Sequence, residues 1–178
     1  MCEIICYDLV MAGAPNRSGP EPGKAQGTLF LDDQLCFALY AASRAVTQRY
    51  RPLLDEVGLT FPQYLVMLVL WEQGTTTVKG LADALQLDYG TLSPLLKRLA
   101  AAGYVERNRR TDDERSVEIR LTQTGEELKT RVSEIPQVIV DAYNLDANNF
   151  AALRQSLRDL TDSIAHSTDD EHPTDDDQ

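Results

Sequence analysis

Histidine and cysteine are scarce in this chain of 178 residues: His166 and His172, and Cys2, Cys6 and Cys36. Metal sites are built from clusters of such residues. Here the histidines stand near or in the C-terminal tail, apart from the cysteines, so no metal and no cofactor are expected. Three cysteines, an odd number, make no disulfide framework. No stretch reaches the roughly 18 apolar residues that a membrane span requires, which excludes a membrane partner of that kind. Met1 to Met11 is partly apolar, but Glu3 and Asp8 interrupt it and no basic residue precedes it. That makes a poor secretory signal; a ragged start, or a true start at Met11, and a cytoplasmic protein are expected.

Basic residues are also few, 17 Lys and Arg against 28 Asp and Glu, for a net charge of −11. Taken alone, this argues against a polyanionic partner. Much of the acid is terminal, however. Thr168 to Gln178 holds Asp169, Asp170, Glu171, Asp175, Asp176 and Asp177 with no Lys or Arg, a composition that stays solvated. Binding to phosphate depends on local cations rather than on the total.

What remains is an ordinary globular chain, 43% hydrophobic, with enough length for one core. Residues 1–28 read as a flexible N-terminal arm, rich in Gly, Pro and Ser from residue 12. Leu35, Leu39, Val46, Tyr50, Leu53 and Leu54 recur at helical spacing and predict a long helix to about Glu56, with Asp32 as its cap. Pro52 is expected to kink or end it. Gly58 is a stop, and Phe61-Pro62 opens a second helix through Trp71. Thr77 caps a short helix, Val78 to Leu85. Asp88 caps another, Tyr89 to Ala102, with Leu92, Leu95, Leu96 and Leu99 on its inner face, and Gly103 ends it. Tyr104 to Arg107 and Ser116 to Leu121 alternate as strands around a charged hairpin. Thr122 caps a helix to about Glu134, broken or bent at Pro136. A last amphipathic helix runs from about Asn148 to Ile164, with Phe150, Leu153, Leu157, Leu160 and Ile164 along one face. Residues 167–178 read as an acidic tail without fixed structure.

The predicted fold class is therefore mainly α with a small β-hairpin wing. Two short helices followed by an arginine-rich hairpin form a winged helix-turn-helix, residues 77–121, whose second helix enters the major groove of double-stranded DNA. Its N-terminal residues Asp88, Tyr89, Gly90, Thr91, Ser93 and Pro94 are the candidates for base and phosphate contact, with Lys97 and Arg98 nearer the backbone. Among the hairpin arginines, Arg107 and Arg115 are the candidates for the wing. The same pattern also describes an amphipathic helix pair followed by an ordinary charged hairpin.

Thr77-Val78-Lys79-Gly80-Leu81-Ala82, Leu92-Ser93-Pro94-Leu95-Leu96-Lys97-Arg98-Leu99, Gly103-Tyr104-Val105, Asp112-Asp113-Glu114-Arg115 and Leu121-Thr122-x-x-Gly125 resemble the MarR family of bacterial regulators. The resemblance spans about Leu31 to Ile164, within a domain set at residues 29–166. It implies a homodimer, with residues 29–60 and 122–166 supplying the dimerisation helices from both ends of the chain. It also implies a repressor of a palindromic operator.

Within that family, Leu31 to Tyr40, Tyr50 to Asp55 and Pro62 to Glu72 resemble the organic hydroperoxide sensors of the OhrR type. The resemblance implies that Cys36 is the peroxide-reactive thiol. It implies too that Tyr40, and Tyr50 of the other subunit, hydrogen-bond to its thiolate, and that oxidation releases the DNA. The chemistry has an independent basis. An unperturbed thiol, with a pKa of about 8.5, is only a few per cent thiolate near neutrality. Cys36 falls in the first turns of a helix, where free N–H groups favour an anion, and Tyr40 lies one turn on. Asp32 and Asp33 oppose this. A lone Cys on an apolar helix face is also, commonly, a small core residue.

The chain departs from the sensor pattern at three points. Phe61 stands where a third tyrosine is found, and Tyr89 is bulkier than expected. No cysteine follows Cys36 to resolve its sulfenic acid, which leaves a small thiol, further oxidation, or Cys2 or Cys6 through the arm. Two other readings stay open, a repressor released by a small phenolic or lipophilic ligand, and a thiol peroxidase.

Overall fold

The computed structural model describes residues 28–109 and 117–169. The chain divides into two units, one up to Ala41 and one from Ala42 onward.

In the first unit, a 3-10 turn, Leu31–Asp33, precedes the first residues of α1 (Leu35–Asp55). Asp32 is therefore not the cap of this helix. Gln34, in extended conformation, separates the two, and its N–H closes the 3-10 turn on Leu31 O at 3.0 Å. The Asp33 carboxylate instead accepts from the Thr28 hydroxyl at 2.9 Å.

The second unit holds the core. Pro52 has no N–H to offer the preceding turn, yet α1 does not end there; it continues through the proline to Asp55, close to the expected end at about Glu56. Gly58 then turns the chain with φ +69°, a conformation that favours glycine. α2 (Phe61–Gln73) follows, with Pro62 in its first turn, where a missing N–H costs nothing. The Gln63 side chain reaches back to accept from the Thr60 N–H (2.8 Å) and hydroxyl (2.9 Å). β1 (Thr76–Thr77) leads into α3 (Val78–Leu85), whose first turn is capped by the Thr77 hydroxyl accepting from Gly80 N–H at 3.0 Å. α4 spans Tyr89–Ala101. β2 (Val105–Arg109) and β3 (Val117–Leu121) pair antiparallel, Val105 opposite Leu121 and Arg107 opposite Ile119. β1 adds to the free side of β3, Thr76 opposite Ile119, for the order β1-β3-β2. This third strand was not predicted.

The core is closed by side chains from α1 to α4, β2 and β3. Leu54, Val66, Met67, Leu70, Leu81, Leu92, Leu96, Leu99 and Ile119 are wholly buried, and Tyr64 nearly so. The inner face predicted for α4 is the one observed. Thr122 caps α5 (Gln123–Arg131), its hydroxyl accepting from Gly125 N–H at 3.0 Å. The helix expected to break or bend at Pro136 does break, α5 ending at Arg131, and a separate helix not expected there begins, α6 (Ile135–Ala142), with Pro136 in its first turn. Leu128, Val132, Ile135 and Ile139 of this region join the core. α7 spans Ala147–Asp169 and so extends into the stretch read as tail. Among its described side chains none is fully buried: Phe150 and Leu160 are half-buried, and Leu153, Leu157 and Ile164 are exposed at 50%, 40% and 60%.

Candidate nucleic-acid interface and thiol site

The N-terminus of α4 is organised by Asp88. One carboxylate oxygen accepts from the Thr91 N–H at 2.8 Å, the other from the Thr91 hydroxyl at 2.7 Å. These hydrogen bonds from Thr91, side chain first, hold the Asp88 carboxyl below its ordinary range. Gly90 leaves room for this cap, since a Cβ there would lie 3.0 Å from Asp88 Oδ1. Asp88 and the Thr91 proton are thus engaged with each other. Tyr89 is different: its ring is 60% exposed at the tip of the helix. Pro94, Lys97 and Arg98 are exposed further along, while Ser93 is half-buried. Arg107 stands exposed on β2. Arg115, together with Asp113 and Glu114, lies outside the described residues.

Sequence reasoning passed over Arg120, which bonds to Glu106 directly across the β2–β3 ladder. Its Nη2 and Nε donate to Glu106 Oε2 at 2.6 Å and 2.9 Å. Alternation of charge on two paired strands was the available signal. The pair takes one guanidinium away from phosphate and stiffens the base of the wing.

Cys36 is a free, exposed thiol. It is the second residue of α1, so its backbone N–H belongs to the first turn, and Tyr40, 57% exposed, follows one turn later. It is not a buried core residue. In the second unit, Tyr50 packs half-buried against Phe61 (ring centroids 4.7 Å) and Tyr64 (5.7 Å). Burial, then the neighbouring phenols of Tyr143 and Tyr64, push its pKa up to about 12. Tyr50 is protonated near neutrality, as an unperturbed tyrosine also is. Phe61 contributes a ring without a hydroxyl, as its identity requires. Cys2 and Cys6 lie outside the described residues. Among the described residues, no group of three or more His, Cys, Asp and Glu is placed to hold a metal ion, and no helix is long and apolar enough to cross a membrane.

A capped helix pair followed by an antiparallel hairpin, with an exposed helix tip and a basic strand beside it, defines a winged helix-turn-helix. Comparison with known proteins gives the family. Residues 48–132 match the model of the SarA/Rot transcriptional regulators. The organic hydroperoxide resistance transcriptional regulator of Bacillus subtilis (strain 168) is 44% identical over 134 residues, 75% of this chain and 91% of that protein. The structure of reduced AbfR bound to DNA is similar with a TM-score of 0.67 at 33% identity, covering 78% of this chain and 94% of that one. Overoxidised AbfR bound to DNA is similar with a TM-score of 0.61 at 37% identity, covering 74% and 94%; AbfR is a protein of Staphylococcus epidermidis. The chain belongs to the MarR/SarA family of winged-helix transcriptional regulators and is a DNA-binding protein.

Proposed function

We propose that the chain is a cytoplasmic, homodimeric repressor that releases a palindromic operator when an organic hydroperoxide oxidises Cys36. The observation that carries this reading is the exposure of Cys36 in the first turn of α1, with the Tyr40 side chain one turn along. The thiolate attacks the terminal oxygen of the hydroperoxide. An S–O bond forms, the O–O bond breaks, and the alkoxide leaves as the alcohol after taking a proton; the product is the sulfenic acid. A small thiol then condenses with it, releasing water and leaving a mixed disulfide. No cysteine follows Cys36 to perform that step within the fold. Since overoxidised AbfR is found on DNA, the mixed disulfide, rather than the sulfinic acid, is the form assigned to release.

The exposed apolar residues of α6 and α7 support the dimer. Val138 and Val140 of α6, Tyr143 and Leu145 just after it, and Leu153, Leu157 and Ile164 of α7 are large apolar residues left exposed by this chain, and grouped exposed apolar residues mark an interaction surface. For the DNA contacts, Tyr89, Gly90, Thr91, Pro94, Lys97, Arg98 and Arg107 fit by exposure, and Asp88 acts as their organiser. Ser93 is more recessed, and Arg115, outside the described residues, is carried by the hairpin's arginine-rich sequence and the resemblance.

The test pairs mass measurement of Cys36, before and after one equivalent of hydroperoxide, with an operator gel shift. A Cys36→Ser protein is expected to bind and no longer let go. A Cys36→Ser protein that still dissociates on adding hydroperoxide would overturn the reading. A second reading, release by a small phenolic or lipophilic ligand, has one observation in its favour. A cavity of about 520 Å³ is lined by Tyr64, Leu68, Trp71, Val132 and Pro136, with Lys129 beside them. Titration with such compounds under reducing conditions separates the two.

A further inference from the structure

The wing is joined to the rest of the second unit through a small knot of hydrogen bonds at its base. Gly103 ends α4 and Tyr104 begins the wing. The Tyr104 hydroxyl donates to Val57 O, in the turn between α1 and α2, at 3.0 Å. Tyr104 O in turn accepts from Thr122 N–H at 3.1 Å, and the Thr122 hydroxyl donates to Gly103 O at 2.6 Å. The strand entering the wing and the helix leaving it are thus sewn together at Thr122.

From the opposite side, the Trp71 indole N–H, on α2, donates to Gly125 O at 2.9 Å. Gly125 has no alternative at this position: a Cβ would meet Tyr104 O at 2.1 Å. The indole itself is held by an edge contact with the buried Tyr64 ring, centroids 6.2 Å apart. Tyr104, the residue before β2, and Trp71, through Gly125 in the first turn of α5, therefore tie the two ends of the wing to the α1–α2 turn and to α2, across 47 and 54 residues of sequence. Both hydrogen bonds are directional and partly buried, which makes them suited to holding an angle rather than merely filling volume.

We infer that Tyr104 and Trp71 are positioning residues for DNA binding: they set the angle of the wing against the recognition helix α4, so that Arg107 meets a phosphate while α4 lies in the groove. The inference rests on the winged-helix reading of α4 and β2, and it requires no peroxide chemistry.

The test uses full-length, reduced protein and a duplex selected in vitro by the wild-type protein from a randomised library. Tyr104→Phe and Trp71→Phe each delete one donor and keep a ring. Each is expected to weaken binding about tenfold and to lower the slope of log K against log salt by about one, as expected for the loss of a phosphate contact. The sequence that α4 selects stays the same. In a double-mutant cycle, Arg107→Ala is expected to cost at least fivefold less in the Tyr104→Phe background than in the wild type.

A loss of melting temperature with unchanged salt slope, and additive effects of Tyr104→Phe and Arg107→Ala, would make both aromatics merely structural and overturn the inference. A wild-type protein that selects no sequence would instead sink the reading of the DNA interface, so the two failures are distinguishable.

Discussion

The winged helix and the C-terminal helices treat their apolar side chains in opposite ways. Between α2 and β3, most large apolar residues are buried or half-buried by the chain itself, and α4 places Leu92, Leu95, Leu96 and Leu99 in one core. α7 is longer and similarly amphipathic in sequence, yet none of its described side chains is fully buried. The same pattern of Leu at helical spacing thus has two outcomes. Where the facing surface comes from the same chain, the result is a closed core. Where it does not, the stripe stays open, and the proposed second subunit is what would close it. Periodicity reports that a face must be covered, not who covers it.

The largest expected effect tests the closed side. Leu96 is wholly buried, and Leu96→Ala is expected to cost about 2–5 kcal/mol in denaturant unfolding, the range for large-to-small changes in a packed core. A cost under about 1 kcal/mol would mean that the helix pair is loosely packed. The open side calls for a different measurement. Leu153→Asp with Leu157→Asp is expected to raise the dimer dissociation constant by about a hundredfold or more in sedimentation, since each places a charge in a buried interface. The unfolding of the α2–β3 core is expected to change little by comparison. A doubly substituted protein that remains a dimer would show that α7 is not the partner-facing helix.

How much of this contrast was legible beforehand follows from the range of the interactions. α3 matches its predicted bounds, Val78–Leu85, and both caps, Thr77 and Asp88, do what their side chains suggest, because a cap is a contact within three residues. β1 was missed: two threonines have no period to detect, and they become a strand only because β3 offers a free edge. α6 was missed because Pro136 was read as a breaker, although in the first turn of a helix a proline loses no hydrogen bond. At α1, Asp32 was read as a cap, but the local 3-10 turn and the extended Gln34 intervene. For the thiol, residue type and position were readable, and exposure was not. Trp71 and Tyr104 lay beyond reach for the same reason as β1, with partners some fifty residues away.

Within the winged helix, the comparison sharpens to single residues. Tyr89 is the large exposed side chain at the tip of α4, whereas its neighbours Asp88 and Thr91 spend their polar atoms on each other. If Tyr89 reads a base edge, Tyr89→Ala is expected to lose roughly tenfold discrimination at one position of each half-site, within the range for a good base contact. Affinity for random duplex and the salt slope are expected to hold. A uniform loss across all sequences would assign Tyr89 to the backbone instead.

The smallest effect belongs to Asp88, because it is exposed and works locally. Its carboxyl is held below the ordinary range by the Thr91 hydroxyl and N–H, so the folded protein binds this proton less readily than the unfolded chain does. The stabilisation is therefore complete above the ordinary carboxylate pKa and is lost as the pH falls through the lowered one. Asp88→Asn keeps an acceptor for the Thr91 N–H and removes the titration. It is expected to unfold much as the wild type does near neutrality, and to lose less stability than the wild type on acidification into the carboxylate range. The difference should be visible as a shallower slope of melting temperature against pH. If the two slopes coincide, the charge on Asp88 contributes nothing to the cap, and its role at the helix tip must be sought in contact with DNA.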